Sequence, residues 1–324
     1  MQRKALVIGI DYYEAGNSLP GCVNDAHRVN AVLESHSDGS PNFDVRLLTA
    51  VSEHDPIPFR ALKDSVEALF ASEDDIALLY FSGHGHVDAT GGYICGSDSV
   101  RGDEGLALGT IMALAGASRA RNRIIILDSC FSGAAGEAAL KPSVSEVTNG
   151  TTILTASRAN EVAMAGGSGS VFTDLLVDAL SGAAANLVGQ ITPGSVYAHI
   201  DQSLGSWAQR PVFKTNVSGF VSLRTVRAPI DVEILRALPT LFPEHGFQLQ
   251  LDPSFEPELP SQGLNPDANP ANTKIFAQLQ KLNRVNLLIP NSQLHMYHAA
   301  VHSDTVRLTA LGEHYRQLAI KRRI

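Results

Sequence analysis

Five short, nearly continuous apolar runs punctuate the first half of this 324-residue chain: Ala5–Ile10, Val45–Leu48, Ile76–Phe81, Ile124–Leu127 and Thr151–Thr155. The last follows the Asn149-Gly150 turn signal. A strand with one face in water alternates apolar and polar residues. These runs do not alternate, so both faces must be covered, which suits strands sandwiched between helices. Helical spacing fills the gaps, at Val23–His36, Pro58–Ala71, Leu108–Ala117 and Val171–Leu180. Strand and helix in alternation predict an α/β fold with a largely parallel sheet.

Composition narrows the function classes. A hydrophobic share of 44% can fill a core and excludes wholesale disorder. The net charge of −8 excludes a globally basic nucleic-acid binder. Cys22, Cys95 and Cys130 are too few for a disulfide framework and their odd count leaves a free thiol, as in a reducing cytoplasm. Met1–Ile10 runs straight into a strand pattern without the marks of a cleaved leader. The longest uncharged run, 181–200, contains Asn186, Gly189, Gln190, Pro193 and Gly194, so no membrane span is expected. A cytoplasmic protein is expected.

The character of the chain changes after Arg227. Eight of the sixteen prolines fall between Pro229 and Pro270, and 253–270 reads as an extended linker or irregular loop. Helical patterns return at 272–283, 292–302 and 309–321, and Val306-Arg307-Leu308 before the last resembles the wing of a winged-helix unit. We therefore expect domains at 1–226 and 227–324, the second smaller and α-rich.

In open α/β sheets, reactive groups collect at the carboxyl ends of strands. One apolar run ends in Ser82-Gly83-His84-Gly85-His86, another in Asp128-Ser129-Cys130-Phe131-Ser132-Gly133. A cysteine and a histidine at such ends form a nucleophile–base pair: the thiolate attacks, and the imidazole moves the proton. The flanking glycines allow sharp turns and close approach of a substrate carbonyl to backbone N–H groups.

These two motifs resemble those of the caspase-like cysteine peptidases, in the branch of metacaspases and bacterial caspase homologues. Gly21-Cys22-Val23-Asn24-Asp25-Ala26 is similar to the segment that opens the first long helix there, and Thr155-Ala156-Ser157 and Gln209–Phe213 look like later elements of the same domain. The resemblance covers roughly 1–225. It implies a three-layer caspase-type α/β/α sandwich and a Cys-His dyad of Cys130 and His84, with no third catalytic acid. It implies oxyanion donors at the backbone N–H groups of Gly85 and Cys130. Asp25 and Asp128, with Ser82 beside them, would line a pocket for a substrate Arg or Lys, where ordinary caspases use arginines for Asp. A carboxylate pair suits a guanidinium and repels an anion. His86 is a competing base that the motif match passes over.

The resemblance further implies protein substrates, restraint as a zymogen, an upstream activating protein, and a role in bacterial antiviral defence or cell death. No cofactor is required by the dyad. Some metacaspases need calcium, for which Asp98, Asp103 and Glu104, with Glu137, are candidate ligands. Membrane and nucleic-acid partners are not expected. An inactive caspase-like scaffold acting through its C-terminal domain is the alternative. Cys22 and Cys95 read as structural thiols. His295, His298 and His302 share a helix face without an acidic or thiol companion, and read as packing or solvated residues rather than a zinc site. Arg224 and Arg227, just before the proline-rich stretch, are the expected self-processing points, with the loop 134–149 a further nicking site.

Overall fold

The computed structural model describes residues 2–88, 91–100, 104–129, 131–132 (backbone), 147–156, 169–205, 210–259 and 263–324. Cys130, Asp103, Glu137, Ser157, Gln209 and most of the 134–149 loop, all singled out above, lie outside the described residues. The chain divides into two compact units, 1–186 with 190–227 and 228–324 with 187–189.

Among the described residues, the larger unit is built on a six-stranded sheet. Its strands are β1 (Arg3–Ile10), β2 (Asp44–Ala50), β3 (Ile76–Ser82), β7 (Asn122–Asp128), β9 (Thr151–Thr155) and β11 (Val212–Asn216), in the spatial order β11-β9-β7-β3-β1-β2. All neighbours run parallel except β11, which closes one edge antiparallel to β9. The lack of alternation in the apolar runs now has its physical account. Leu6, Ile8, Leu79, Phe81, Ile125 and Leu127 pack on one face against Leu62 and Val66 of α2 (Phe59–Phe70) and Ile111 of α3 (Leu108–Ala117). Their neighbours Ala5, Val7, Leu78, Tyr80, Ile124 and Ile126 pack on the other face. There they meet Val29 and Leu33 of α1 (Cys22–Leu33), Leu176 of α4 (Val171–Asp178) and Ile200 of α5 (Pro193–Ser203). This is the expected three-layer α/β/α sandwich with a mostly parallel sheet.

The strand order changes direction at β1, with β2 on one side and β3 on the other, so the crevice at these carboxyl ends is a topological switch point. A second, four-stranded sheet grows from that end: β4 (Gly85–Asp88), β5 (Gly91–Ile94), β6 (Leu106–Ala107) and β8 (Phe131–Ser132), in the order β6-β5-β4-β8. Its strands of two to four residues are too short for a sequence period to register.

The junction at 222–227 differs from expectation. Arg224 lies in the two-residue strand β12 (Arg224–Thr225), paired with β10 (Gln190–Ile191). Its guanidinium donates to Ser35 O at 2.8 Å and Leu180 O at 2.9 Å. A scissile segment must be extended and accessible. Arg224 is extended but half-buried, its side chain held on two carbonyls, and it anchors the larger unit; Arg227 is exposed.

The smaller unit carries an antiparallel sheet of β13 (Gln248–Gln250), β15 (Thr305–Leu308) and β14 (Leu288–Pro290), with β15 central. Helices Pro270–Arg284, Met296–Val301 and Ala310–Ile320 close a core that contains Phe242, Phe255, Phe276 and Leu282. The proline-rich stretch is irregular yet belongs to this unit: Phe255 is buried, and the Asn265 amide donates to Pro253 O and Glu256 O. The middle helix begins four residues later than its pattern suggests, because the Asp304 carboxylate accepts from Ser292 N and Gln293 N and holds them in a turn. Among the described residues, no helix is long and apolar enough to cross a membrane.

Candidate active site

His84 follows β3 directly and Gly85 opens β4. The register on either side of the motifs is defined. Ser82 pairs with Asp128 in the main sheet, and Gly85 pairs with Phe131 in the small one. The described neighbours of Cys130 are thus strand partners of the described neighbours of His84.

The His84 ring is fixed from behind. Its Nε2 lies 2.6 Å from Asn17 O. A carbonyl can only accept, so Nε2 carries the proton and Nδ1 holds the lone pair. The Tyr13 ring lies 4.5 Å away, centroid to centroid, and its hydroxyl accepts from His84 N at 2.7 Å. Gly83 is needed for that approach: a Cβ there would stand 2.6 Å from the Tyr13 hydroxyl. Close passage, rather than a sharp turn, explains this glycine. His86 faces Tyr93 across β4 and β5.

The three residues expected to line a pocket come together near the ends of β3 and β7. Asp25 lies in the first turn of α1, which starts where Asp11 at the end of β1 accepts from Val23 N at 2.9 Å. Asp25 and Ser82 are each 1% exposed, and Asp128 9%. The Ser82 hydroxyl bonds the Cys22 thiol, whose burial pushes it up to about 12, so Cys22 is a packed thiol and not a nucleophile. Cys95, up at about 11 by burial, is likewise inert.

Two residues that carry no motif, Ser170 and Thr173 at the start of the helix over 171–178, hold the acids. Ser170 caps α4, and its backbone N–H donates to Asp25 Oδ2 at 2.9 Å. Its hydroxyl donates to Asp128 Oδ1 at 3.0 Å, and Thr173 donates to Asp128 Oδ2 at 2.6 Å. The Tyr80 hydroxyl meets Thr173 Oγ1 at 2.5 Å, extending the chain into the core. Both oxygens of Asp128 are therefore engaged. Asp25 Oδ1, in contrast, is buried without a hydrogen-bond partner, although Arg28 Nη1 lies 3.6 Å away. Burial pushes the Asp25 carboxyl up to about 7, opposed by the Ser170 N–H and raised further by Asp128; burial also raises Asp128. The arrangement is a buried pair of carboxyl groups with one acceptor atom, Asp25 Oδ1, left without a hydrogen-bond partner.

Gly169 has φ +119° and a Cβ there would collide with Asp25 Oδ1. Gly169→Ala is expected to destabilise the fold by about 1–3 kcal/mol through strain and displacement of the carboxylate. Thermal denaturation checks this; an unchanged melting temperature would contradict it.

Of the calcium candidates, Asp98 and Glu104 are described. Asp98 Oδ1 accepts from Phe59 N at 2.7 Å and Glu104 Oε2 from Val100 N at 3.0 Å. Among the described residues, no three His, Cys, Asp or Glu side chains group to hold a metal, His295, His298 and His302 included. His298 and His302 stack on each other instead, 5.7 Å between centroids.

A family model described as the caspase domain matches residues 2–219. Metacaspase-1 of Candida glabrata is 36% identical over 89 residues, covering 26% of this chain and 22% of that protein. Metacaspase-4 of Arabidopsis thaliana is 36% identical over 89 residues, covering 26% and 21%. The chain thus spans about a fifth of the length of the curated relatives it matches. A solved Geobacter sulfurreducens structure matches at TM-score 0.50 and 17% identity, covering 70% of this chain and all of that one; this is a likeness of fold.

Proposed function

The chain belongs to the caspase family, and on that premise we propose that it is a cysteine endopeptidase, cutting proteins after Arg or Lys with Cys130 as nucleophile and His84 as base. The observation that carries this reading is the register: Ser82 with Asp128 before the two motif residues, Gly85 with Phe131 after them.

In this mechanism, His84 Nδ1 takes the Cys130 thiol proton, since Nε2 is committed to Asn17 O. The thiolate adds to the scissile carbonyl carbon, and the backbone N–H groups of Gly85 and Cys130 stabilise the oxyanion. The C–N bond breaks, the imidazolium protonates the leaving amine, and a thioester remains. Water, deprotonated by His84, attacks the thioester and releases the carboxylate product and the Cys130 thiol. Asp25 Oδ1 receives the substrate cation, while Asp128, saturated by Ser170 and Thr173, supplies charge and shape.

The test is a panel of fluorogenic peptides that differ at the residue before the cut. Arg and Lys peptides should be cleaved and Asp peptides left intact; equal cleavage of all three would overturn the specificity. No cleavage of any peptide would favour the inactive scaffold. A cytoplasmic place in a regulated defence or cell-death pathway, with the second unit as the restraining or activator-binding element, completes the proposal. It is checked by comparing the full chain with one ending at 227, which should be the more active.

A further inference from the structure

Asp25 Oδ1, buried and without a hydrogen-bond partner, has a cation held near it. Arg28 stands one turn along α1 from Asp25, and its Nη1 lies 3.6 Å from Asp25 Oδ1. That is ion-pair range but beyond a hydrogen bond. The same nitrogen donates to Asp174 Oδ1 in the first turn of α4. The charged and titratable groups around the Asp25 carboxyl are Cys22 and Arg28 on α1, Asp174 on α4, Asp128 on β7 and Tyr80 on β3. Among these described groups, Arg28 is the cation.

We propose that the Arg28–Asp174 pair is a positioning device for the site: Asp174 holds the guanidinium just short of Asp25, so that Asp25 keeps more of its charge near neutral pH while its buried Oδ1 is left without a hydrogen-bond partner, for the substrate's Arg or Lys to take. This rests on the specificity proposed above. A buried carboxylate sheds its charge unless a cation is near. A cation that hydrogen-bonded to it would fill the site. The 3.6 Å separation meets the first need without the second consequence. Burial has already brought the Asp25 carboxyl to about 7, with Asp128 and Asp174 pushing up and Arg28 pushing down, so a small change at Arg28 is felt at neutral pH. Arg28 is 32% and Asp174 50% exposed, and solvent screening keeps the effect modest.

The test uses two arms across pH 5.5–8.5. In one, calorimetry follows an acetylated peptide ending in Arg as it binds the Cys130→Ala chain, which removes turnover from the profile. In the other, the chain with Cys130 intact cleaves the Arg fluorogenic peptide. Arg28→Gln should move the acidic limb of both profiles upward by about half a pH unit. Asp174→Asn should free Arg28 to close on Oδ1, weakening binding about threefold across the range and raising KM more than it lowers kcat. A profile for Arg28→Gln that superimposes on the parent, or unweakened binding in Asp174→Asn, overturns the proposal. Failure of the parent to bind the peptide overturns it too, together with the pocket assignment. If the binding arm behaves as stated and cleavage is absent, the peptidase reading fails and this inference stands.

Discussion

Cys130→Ala is expected to lower turnover of an Arg peptide by at least about ten-thousandfold, and His84→Ala by about a thousandfold, both with the fold intact. The two differ because the thiol forms the covalent intermediate, whereas a lost base can be partly replaced by water. His84 belongs to neither core of the larger unit, so its replacement opens none of them. Single-turnover assays with active-site titration measure both, and circular dichroism controls for folding. Residual activity near wild type in either variant would remove that residue from the mechanism. Activity that persists in Cys130→Ala would also redirect attention to Cys22 and Cys95, whose buried, strongly raised thiols argue against them.

Substitution of the two pocket acids should have opposite effects on stability while both abolish the preference for Arg. Asp25→Asn removes a buried charge whose Oδ1 has no hydrogen-bond partner. Its carboxyl titrates near 7 when folded against a usual 3.8, so the folded state holds the proton more tightly than the unfolded chain. Stability therefore falls as pH rises from about 4 to 7, and the advantage of asparagine should be absent below that window, grow through it and level off above. A gain of about 1 kcal/mol at pH 8 would appear as roughly 2–4 °C in melting temperature for a domain this size. Asp128→Ala should instead destabilise by about 1–3 kcal/mol, because it leaves the Ser170 and Thr173 hydroxyls without their buried acceptor. Melting curves at pH 4, 6 and 8 read the first effect directly. A pH-independent difference between Asp25→Asn and wild type would show that Asp25 is not the titrating group.

On the proposed specificity, Arg224 is the less accessible of the two candidate self-processing points, because its guanidinium is held on Ser35 O and Leu180 O, whereas Arg227 is exposed.

What the sequence determined by itself follows from local and periodic signals. The nearly continuous runs at Ile76–Phe81 and Ile124–Leu127 announce strands covered on both faces, and the tertiary structure assigns alternate residues of each to opposite cores. The motifs around His84 and Cys130, and the position of Asp25 at a helix start, were likewise legible, since each is a short run with its own chemistry. Other features belong to the fold alone. Ser170, Thr173 and Arg28 carry no motif, and their meaning depends on α4 laying its first turn against Asp128, 42 and 45 residues away in sequence, and against Asp25, 145 residues away. The role of the Asn17 carbonyl is equally invisible, because a backbone acceptor has no side-chain identity to read. The setting of Arg224 is hidden for the same reason: an arginine beside a proline-rich stretch looks free in one dimension, and only the return of β12 against β10 places its guanidinium on carbonyls at Ser35 and Leu180. Periodicity reports which face of an element is buried, but hydrogen bonds between residues distant in sequence are decided when the chain closes on itself.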